Sequence, residues 1–247
     1  MGFFNLFGNS KTEPKEKRDE TLEQLFQNAS VNLDKHVVNL KKETGIDLAG
    51  RKACVFILFD ISSSTNTIVY NGTVQKILTI LFPLAVRFDD NGEMEVIVFN
   101  DMTRRIESMT IANYQTYVKK QMLGKKYEPC GSTAYVPAIQ EAIKMCKNNT
   151  DPSFGLFLTD GAANESQKEL DEIFKKAAKS RKIFLATIGF KTSYTRKEDF
   201  EYLRGLKNKF GNTNFLEADD FDSLNSEDLF KKLLCGYPEW LQANGYI

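Results

Sequence analysis

Residues 53–65, ACVFILFDISSST, constrain this chain more than any other stretch. Positions 53–59 form an unbroken apolar run after the polar Gly50-Arg51-Lys52. The run is far shorter than the roughly 20 residues that span a bilayer. It is rich in β-branched and aromatic side chains, which suits a strand buried on both faces, as in a parallel sheet between helices. It stops abruptly at Asp60, and Ser62 and Ser64 follow at alternate positions. Open α/β sheets bind ligands outside the carboxyl ends of their strands. Three oxygen side chains at such an end mark a candidate site.

The rest of the chain supplies the partners such a strand needs. Upstream, Leu22, Phe26, Ala29, Leu33, Val37 and Leu40 recur at helical spacing and predict an amphipathic helix from residue 21. It is expected to pack on the sheet, with an interruption near residues 28–30. Downstream, Val74, Ile77, Leu78, Leu81, Ala85 and Phe88 share one helical face, and Pro83 should kink that helix. The turn Asp89-Asp90-Asn91-Gly92 leads to a strand at 94–99. Residues 103–109 alternate and read as an antiparallel edge strand. Helices are expected at 114–123, 136–147, 166–179 and 200–206, and strands at 154–158, 183–188 and 215–216. Ser226 suits the cap of a last helix running to Leu234, with Glu227 and Asp228 in its first turn. Alternation of this kind predicts an α/β fold: a doubly wound, mainly parallel sheet with one antiparallel edge strand.

Composition narrows the function. The chain has 247 residues, enough for one large α/β domain, and 33 basic residues balance 33 acidic ones. No net field favours nucleic acid. No apolar run predicts a transmembrane segment, and no signal peptide is expected. Cys54, Cys130, Cys146 and Cys235 form no C-x-x-C pair, and they read as reduced thiols in a cytoplasmic protein. The single histidine, His36, is expected on a solvated helix face rather than in catalysis.

Two later segments carry oxygen side chains in matching contexts. Gly131-Ser132-Thr133 precedes a helix, and Thr159-Asp160-Gly161 ends an apolar strand. Taken singly, Ser62 and Ser64 suit a turn, Thr133 a helix cap and Asp160-Gly161 a loop. Together Asp60, Ser62, Ser64, Thr133 and Asp160 give two carboxylates and three hydroxyls with no nitrogen or sulfur. That set suits a hard divalent cation such as Mg²⁺, with Mn²⁺ or Ca²⁺ as alternatives, and not Zn²⁺. Ser63, Tyr135 and Asn164 flank the expected site as candidate ligand-rim residues.

D-x-S-x-S, then G-S-T, then T-D-G resembles the metal-ion-dependent adhesion site (MIDAS) of von Willebrand factor A domains. Within that superfamily the chain is most similar to the TerF-type domains of tellurium-resistance proteins. The residues behind this are Pro83-Leu84-Ala85-Val86-Arg87-Phe88-Asp89-Asp90, Asn113-Tyr114, Phe157-Leu158-Thr159-Asp160-Gly161 and the ending Tyr237-Pro238-Glu239-Trp240-Leu241. The resemblance covers about residues 22–247. It implies a metal-dependent protein-interaction module without enzymatic activity, in tellurite or general stress resistance. It also implies that a partner's Asp or Glu completes the ion's coordination. Ser63 stands where the family often has glycine, which should stiffen the serine loop.

Two rival functions share the sheet. An Mg²⁺-dependent phosphohydrolase or phosphotransferase of the haloacid-dehalogenase type needs a second Asp two positions after the first, where this chain has Ser62. G-x-S-x-G and P-loop sequences are absent. An adaptor for a AAA-type ATPase would use the same site. Residues 1–20 are expected to be a flexible segment before a domain at 21–247. The aromatic start, MGFFNLFG, reads either as a frayed terminus or as a docking peptide with weak membrane contact.

Overall fold

The computed structural model describes residues 20–124, 127–218 and 226–247. Residues 1–19, with the aromatic start and most of the expected flexible segment, lie outside the described residues. Among the described residues six strands form one sheet: β1 (Cys54–Asp60), β2 (Met94–Phe99), β3 (Thr103–Met109), β4 (Ser153–Thr159), β5 (Ile183–Phe190) and β6 (Thr213–Ala218). Their order is β3-β2-β1-β4-β5-β6. All neighbours run parallel except β2 and β3, which pair antiparallel at the edge.

Successive side chains on a strand face opposite ways, and β1 feeds two cores in this manner. Val55, Ile57 and Phe59 enter the core shared with α1 (Leu22–Thr44), α2 (Asn66–Tyr70), α3 (Thr73–Leu81), α4 (Pro83–Phe88) and α5 (Tyr117–Gln121). Phe56 and Leu58 enter the core shared with α6 (Tyr135–Cys146), α7 (Gln167–Lys179) and α8 (Glu201–Lys209). Burial on both faces explains why β1 reads as continuous apolar sequence. Gly155 of β4 makes room for this packing. A Cβ there would sit 2.3 Å from Cζ of Phe56 and 2.8 Å from Cδ2 of Leu185.

Two expectations need correction. The first helix is uninterrupted over Leu22–Thr44: a Thr21–Gln24 capping box starts it, and the Ser30 hydroxyl turns back onto the Phe26 carbonyl at 2.8 Å. It lies against α3, α4 and α9 (Ser226–Leu233), and its Leu33 and Val37 share one core with Val55 and Ile57 of the sheet, as expected. The chain also has a further helix, α10 (Tyr237–Ala243), which begins after Gly236 at φ 83°. Pro83 acts as expected, dividing α3 from α4 at Phe82.

The topology fixes the place of the site. From β1 the chain crosses to β2 by α3 and α4 on one face. From β3 it crosses to β4 by α6 on the other. The connections therefore diverge between adjacent β1 and β4, leaving a crevice at their carboxyl ends, where ligands of such sheets bind. Asp60 ends β1, and Asp160 follows β4 directly.

Candidate metal centre

Four of the five expected ligands meet in this crevice. Ser64 Oγ donates to Asp160 Oδ1 at 2.9 Å, and Ser62 Oγ lies 3.1 Å from Ser64 Oγ. Asp60 Oδ1 accepts from the Ser62 backbone N–H at 2.8 Å, and its Oδ2 accepts from Thr159 Oγ1 at 2.6 Å. A hydroxyl has one proton to give. Ser64 gives its proton to Asp160, and the Ser62 hydroxyl is within reach of both carboxylates as well as of Ser64. The lone pairs of both serines are left for a cation.

Thr133 is buried on a loop tied to the serine loop, and no hydrogen bond joins it to the other four residues. The loop is stitched down on three sides. Cys130 N–H donates to the Ile61 carbonyl at 2.9 Å, and Ser63 N–H and Oγ both donate to the Gly131 carbonyl, at 3.1 and 3.0 Å. Asn100 Nδ2 donates to the Cys130 carbonyl at 2.8 Å. Asn164 N–H donates to the Thr133 carbonyl at 2.9 Å, and its Nδ2 to Ser132 Oγ at 2.7 Å. Gly131 is required here. Its φ is 71°, and a Cβ would lie 2.5 Å from Oδ1 of Asp101.

The rim expectations divide. Asn164 and Ser63 are exposed at the loop. Ser63 stiffens the loop as its replacement of glycine suggests, because both its donors go to Gly131. Tyr135 is not a rim residue. It lies in the first turn of α6, is 1% exposed, and stacks edge-on against Phe157 with centroids 4.8 Å apart. Its hydroxyl donates to the Gly161 carbonyl and sits 3.2 Å from Thr159 Oγ1. It therefore buttresses the strand end from below.

Four supporting residues lie outside the expected set. Asn100 closes β2 and holds the Cys130 turn. Glu165 accepts from the N–H groups of Tyr135 and Val136, at 3.1 and 2.8 Å, and so caps α6 just beyond Thr133. Thr192 Oγ1 donates to Asp160 Oδ2 at 3.0 Å, and Thr195 Oγ1 to the Asp160 carbonyl at 2.5 Å. Glu165 lies about 30 residues after the helix start it caps, so no cap pattern in the sequence points to it. The Asn and Thr contacts carry no local signature.

Electrostatically the pair is short of positive charge. Asp60 is wholly buried, and burial first, then the neighbouring Asp160, pushes its carboxyl up to about 7. Burial also raises Asp160, against the hydroxyl bonds from Ser64 and Thr192. The partners of both carboxylates among the described residues are hydroxyls and backbone N–H groups, none of them Lys or Arg. Two buried carboxylates with neutral oxygen donors fit a hard divalent cation, whose charge balances theirs. Among the described residues no three His, Cys, Asp or Glu side chains gather as a metal-binding group. A cation here depends on serine and threonine oxygens.

A model of the von Willebrand factor A domain found at the TerF C terminus matches residues 52–246. The chain belongs to this TerF-like von Willebrand factor A family. The Bacillus subtilis protein YcbR is 26% identical over 222 residues, covering 87% of both chains. Proximal thread matrix protein 1 from the mussel byssus, solved with zinc in its MIDAS motif, superposes with a TM-score of 0.54 at 16% identity. That match covers 76% of this chain and 48% of the mussel protein, so the chain spans about half its length. Manganese-loaded TRAP protein from Plasmodium vivax gives 0.51 at 16% identity, over 76% of this chain and 73% of that one. At these identities the solved structures share the von Willebrand factor A fold with this chain. Among the described residues no single helix is long and apolar enough to cross a membrane.

Proposed function

We propose that this chain is a metal-dependent protein-interaction module. Asp60, Ser62, Ser64, Thr133 and Asp160 would hold a divalent cation, directly or through water. Mg²⁺ is the first candidate, with Mn²⁺ and Ca²⁺ as alternatives. The observation that carries this reading is the buried Asp60–Asp160 pair, surrounded by oriented hydroxyls and with no Lys or Arg partner among the described residues. When bound, the ion supplies an electrophilic position that accepts an Asp or Glu carboxylate from a partner protein. The protein's own part is to keep that position electron-poor. Serine and threonine oxygens are weak neutral donors, and the two carboxylates do no more than balance the ion's charge. The proposal extends to a part in tellurite or stress resistance in the cytoplasm, supported by the likeness to TerF-type domains alone. The domain would begin at residue 21, because α1 shares the core with β1.

The non-catalytic reading is favoured over phosphoryl transfer by the setting of Asp60. A carboxylate nucleophile needs an accessible oxygen, whereas Asp60 is fully buried and both its oxygens accept hydrogen bonds. The deciding experiment is affinity capture with and without EDTA, comparing wild type with Thr133→Ala. Partners retained by wild type with Mg²⁺ and lost with EDTA or in Thr133→Ala support the proposal. A phosphatase activity that disappears in Asp60→Ala would establish the rival instead.

A further inference from the structure

Beyond the five expected ligands, Asp160 is held by a separate element, the loop 191–196 after β5. In the sheet β5 adjoins β4 and not β1, so this loop reaches the site from the side opposite the Asn100 turn. Thr192 and Thr195 close a small turn: Thr195 N–H donates to the Thr192 carbonyl at 3.2 Å, and Thr192 N–H donates to Thr195 Oγ1 at 3.0 Å. The turn grips Asp160 twice, through Thr192 Oγ1 on Oδ2 and Thr195 Oγ1 on the main-chain carbonyl.

The protons on these hydroxyls can be assigned. Thr192 Oγ1 has one hydrogen and two nearby acceptors, Asp160 Oδ2 at 3.0 Å and Thr195 Oγ1 at 3.2 Å. A carboxylate is the stronger acceptor, so the hydrogen goes to Asp160. Thr195 spends its own hydrogen on the Asp160 carbonyl. The carboxylate is thus clamped at both oxygens, by Ser64 on Oδ1 and Thr192 on Oδ2. It cannot rotate about its side-chain bond without breaking one of the two bonds.

We infer that Thr192, supported by Thr195, is a positioning residue that presets Asp160 for the cation and makes loop 191–196 a working part of the metal centre. The inference rests on the metal-binding reading above. Carboxylates that serve a metal are commonly oriented by hydrogen-bond donors behind them, and losing such a donor typically weakens metal affinity roughly 10- to 100-fold. Thr192 is half-buried in a loop, so the isosteric Thr192→Val removes the proton donor while keeping the shape.

The test is calorimetric titration of the full chain with MnCl₂, for wild type, Asp60→Ala, Thr192→Val and Thr192→Ser. The metal-free melting temperature of each is measured alongside. The expected result is a roughly 10- to 100-fold weaker ion affinity in Thr192→Val, recovery in Thr192→Ser, and metal-free melting close to wild type for both. Affinity in Thr192→Val equal to or tighter than wild type overturns the inference, and the metal site still stands if Asp60→Ala abolishes binding. Absence of Mn²⁺ binding by wild type itself overturns the metal reading and this inference with it. If Thr192→Val shows no folded transition, Thr195→Val takes its place. A several-fold loss of affinity is expected there, and unchanged affinity overturns the inference.

Discussion

Ser64 Oγ and Asp160 Oδ1, 96 residues apart in the chain, lie 2.9 Å apart in the fold. The bond joins the loop after β1 to the loop after β4, the two strand ends that flank the crevice. The candidate ligands are therefore assembled only when the sheet has formed. Unfolded chain should bind a cation poorly, and a cation should stabilise the protein.

That stabilisation should be small. At a free ion concentration equal to the dissociation constant it amounts to about 0.4 kcal/mol. Thermal melts with Mg²⁺ or Mn²⁺ should show a slight rise in melting temperature, absent in Asp60→Ala. A rise of the same size in Asp60→Ala would place the ion elsewhere on the protein.

Phe56 and Phe157 are completely buried on the same face of the sheet. Phe56→Ala and Phe157→Ala should each cost about 3–5 kcal/mol in urea unfolding, from lost burial and the cavity left behind. Two unperturbed midpoints would mean that these side chains do not fill the core.

Gly131→Ala places a side chain at φ 71° and against the Asp101 carboxylate. It should lower stability by about 1 kcal/mol or more. It should also weaken Mn²⁺ binding, since the displaced loop carries Thr133. Full ion affinity in a destabilised variant would separate the loop's structural part from the site.

His36 gives a pH dependence of known sign. Burial pulls its pKa below the usual 6.5, and Nε2 has no hydrogen-bond partner among the described residues. The nearby charges act in both directions, Glu43 and Glu227 against Lys231. The unfolded chain takes up the proton more readily. The contribution of His36 is therefore complete above about pH 6.5 and is lost as pH falls through the lower folded value. Urea unfolding at pH 7.5 and 5.5 should show a larger acid loss in wild type than in His36→Leu. Equal losses would show that the ring does not change protonation on unfolding.

How much of this was legible in the sequence depended on the range of the interaction. Buried strands write themselves as apolar runs, so β1, β2, β4 and β5 could be read directly, as could the alternating β3. The ligand pattern was legible because each residue sits at a fixed offset from such a run. Tyr135 was misplaced because an aromatic next to a loop looks exposed. Only the packing of α6 on Phe157 turns it inward. His36 was expected on a solvated face, yet it is buried where α1 meets the charges of α9. Helix α10 has seven residues, too few to display a period, and Pro238 in its first turn looks like a break. Thr192 and Thr195 lie in an ordinary polar loop, and their role exists only through the contact with Asp160.

The outer strands decide how copies of this protein meet when crowded. An exposed strand edge offers unpaired backbone groups to any other strand, and charged side chains blunt it. On β3 Arg104, Arg105 and Glu107 point to solvent, with Arg105 paired to Glu95 at 2.7 Å. On β6 Glu217 is paired with Arg204 at 2.7 Å and Lys191 at 3.1 Å. Both rims are guarded by charge, so polymerisation by strand addition is disfavoured. Contact between copies is left to the loops and helices, and charge keeps the sheet from templating a second one.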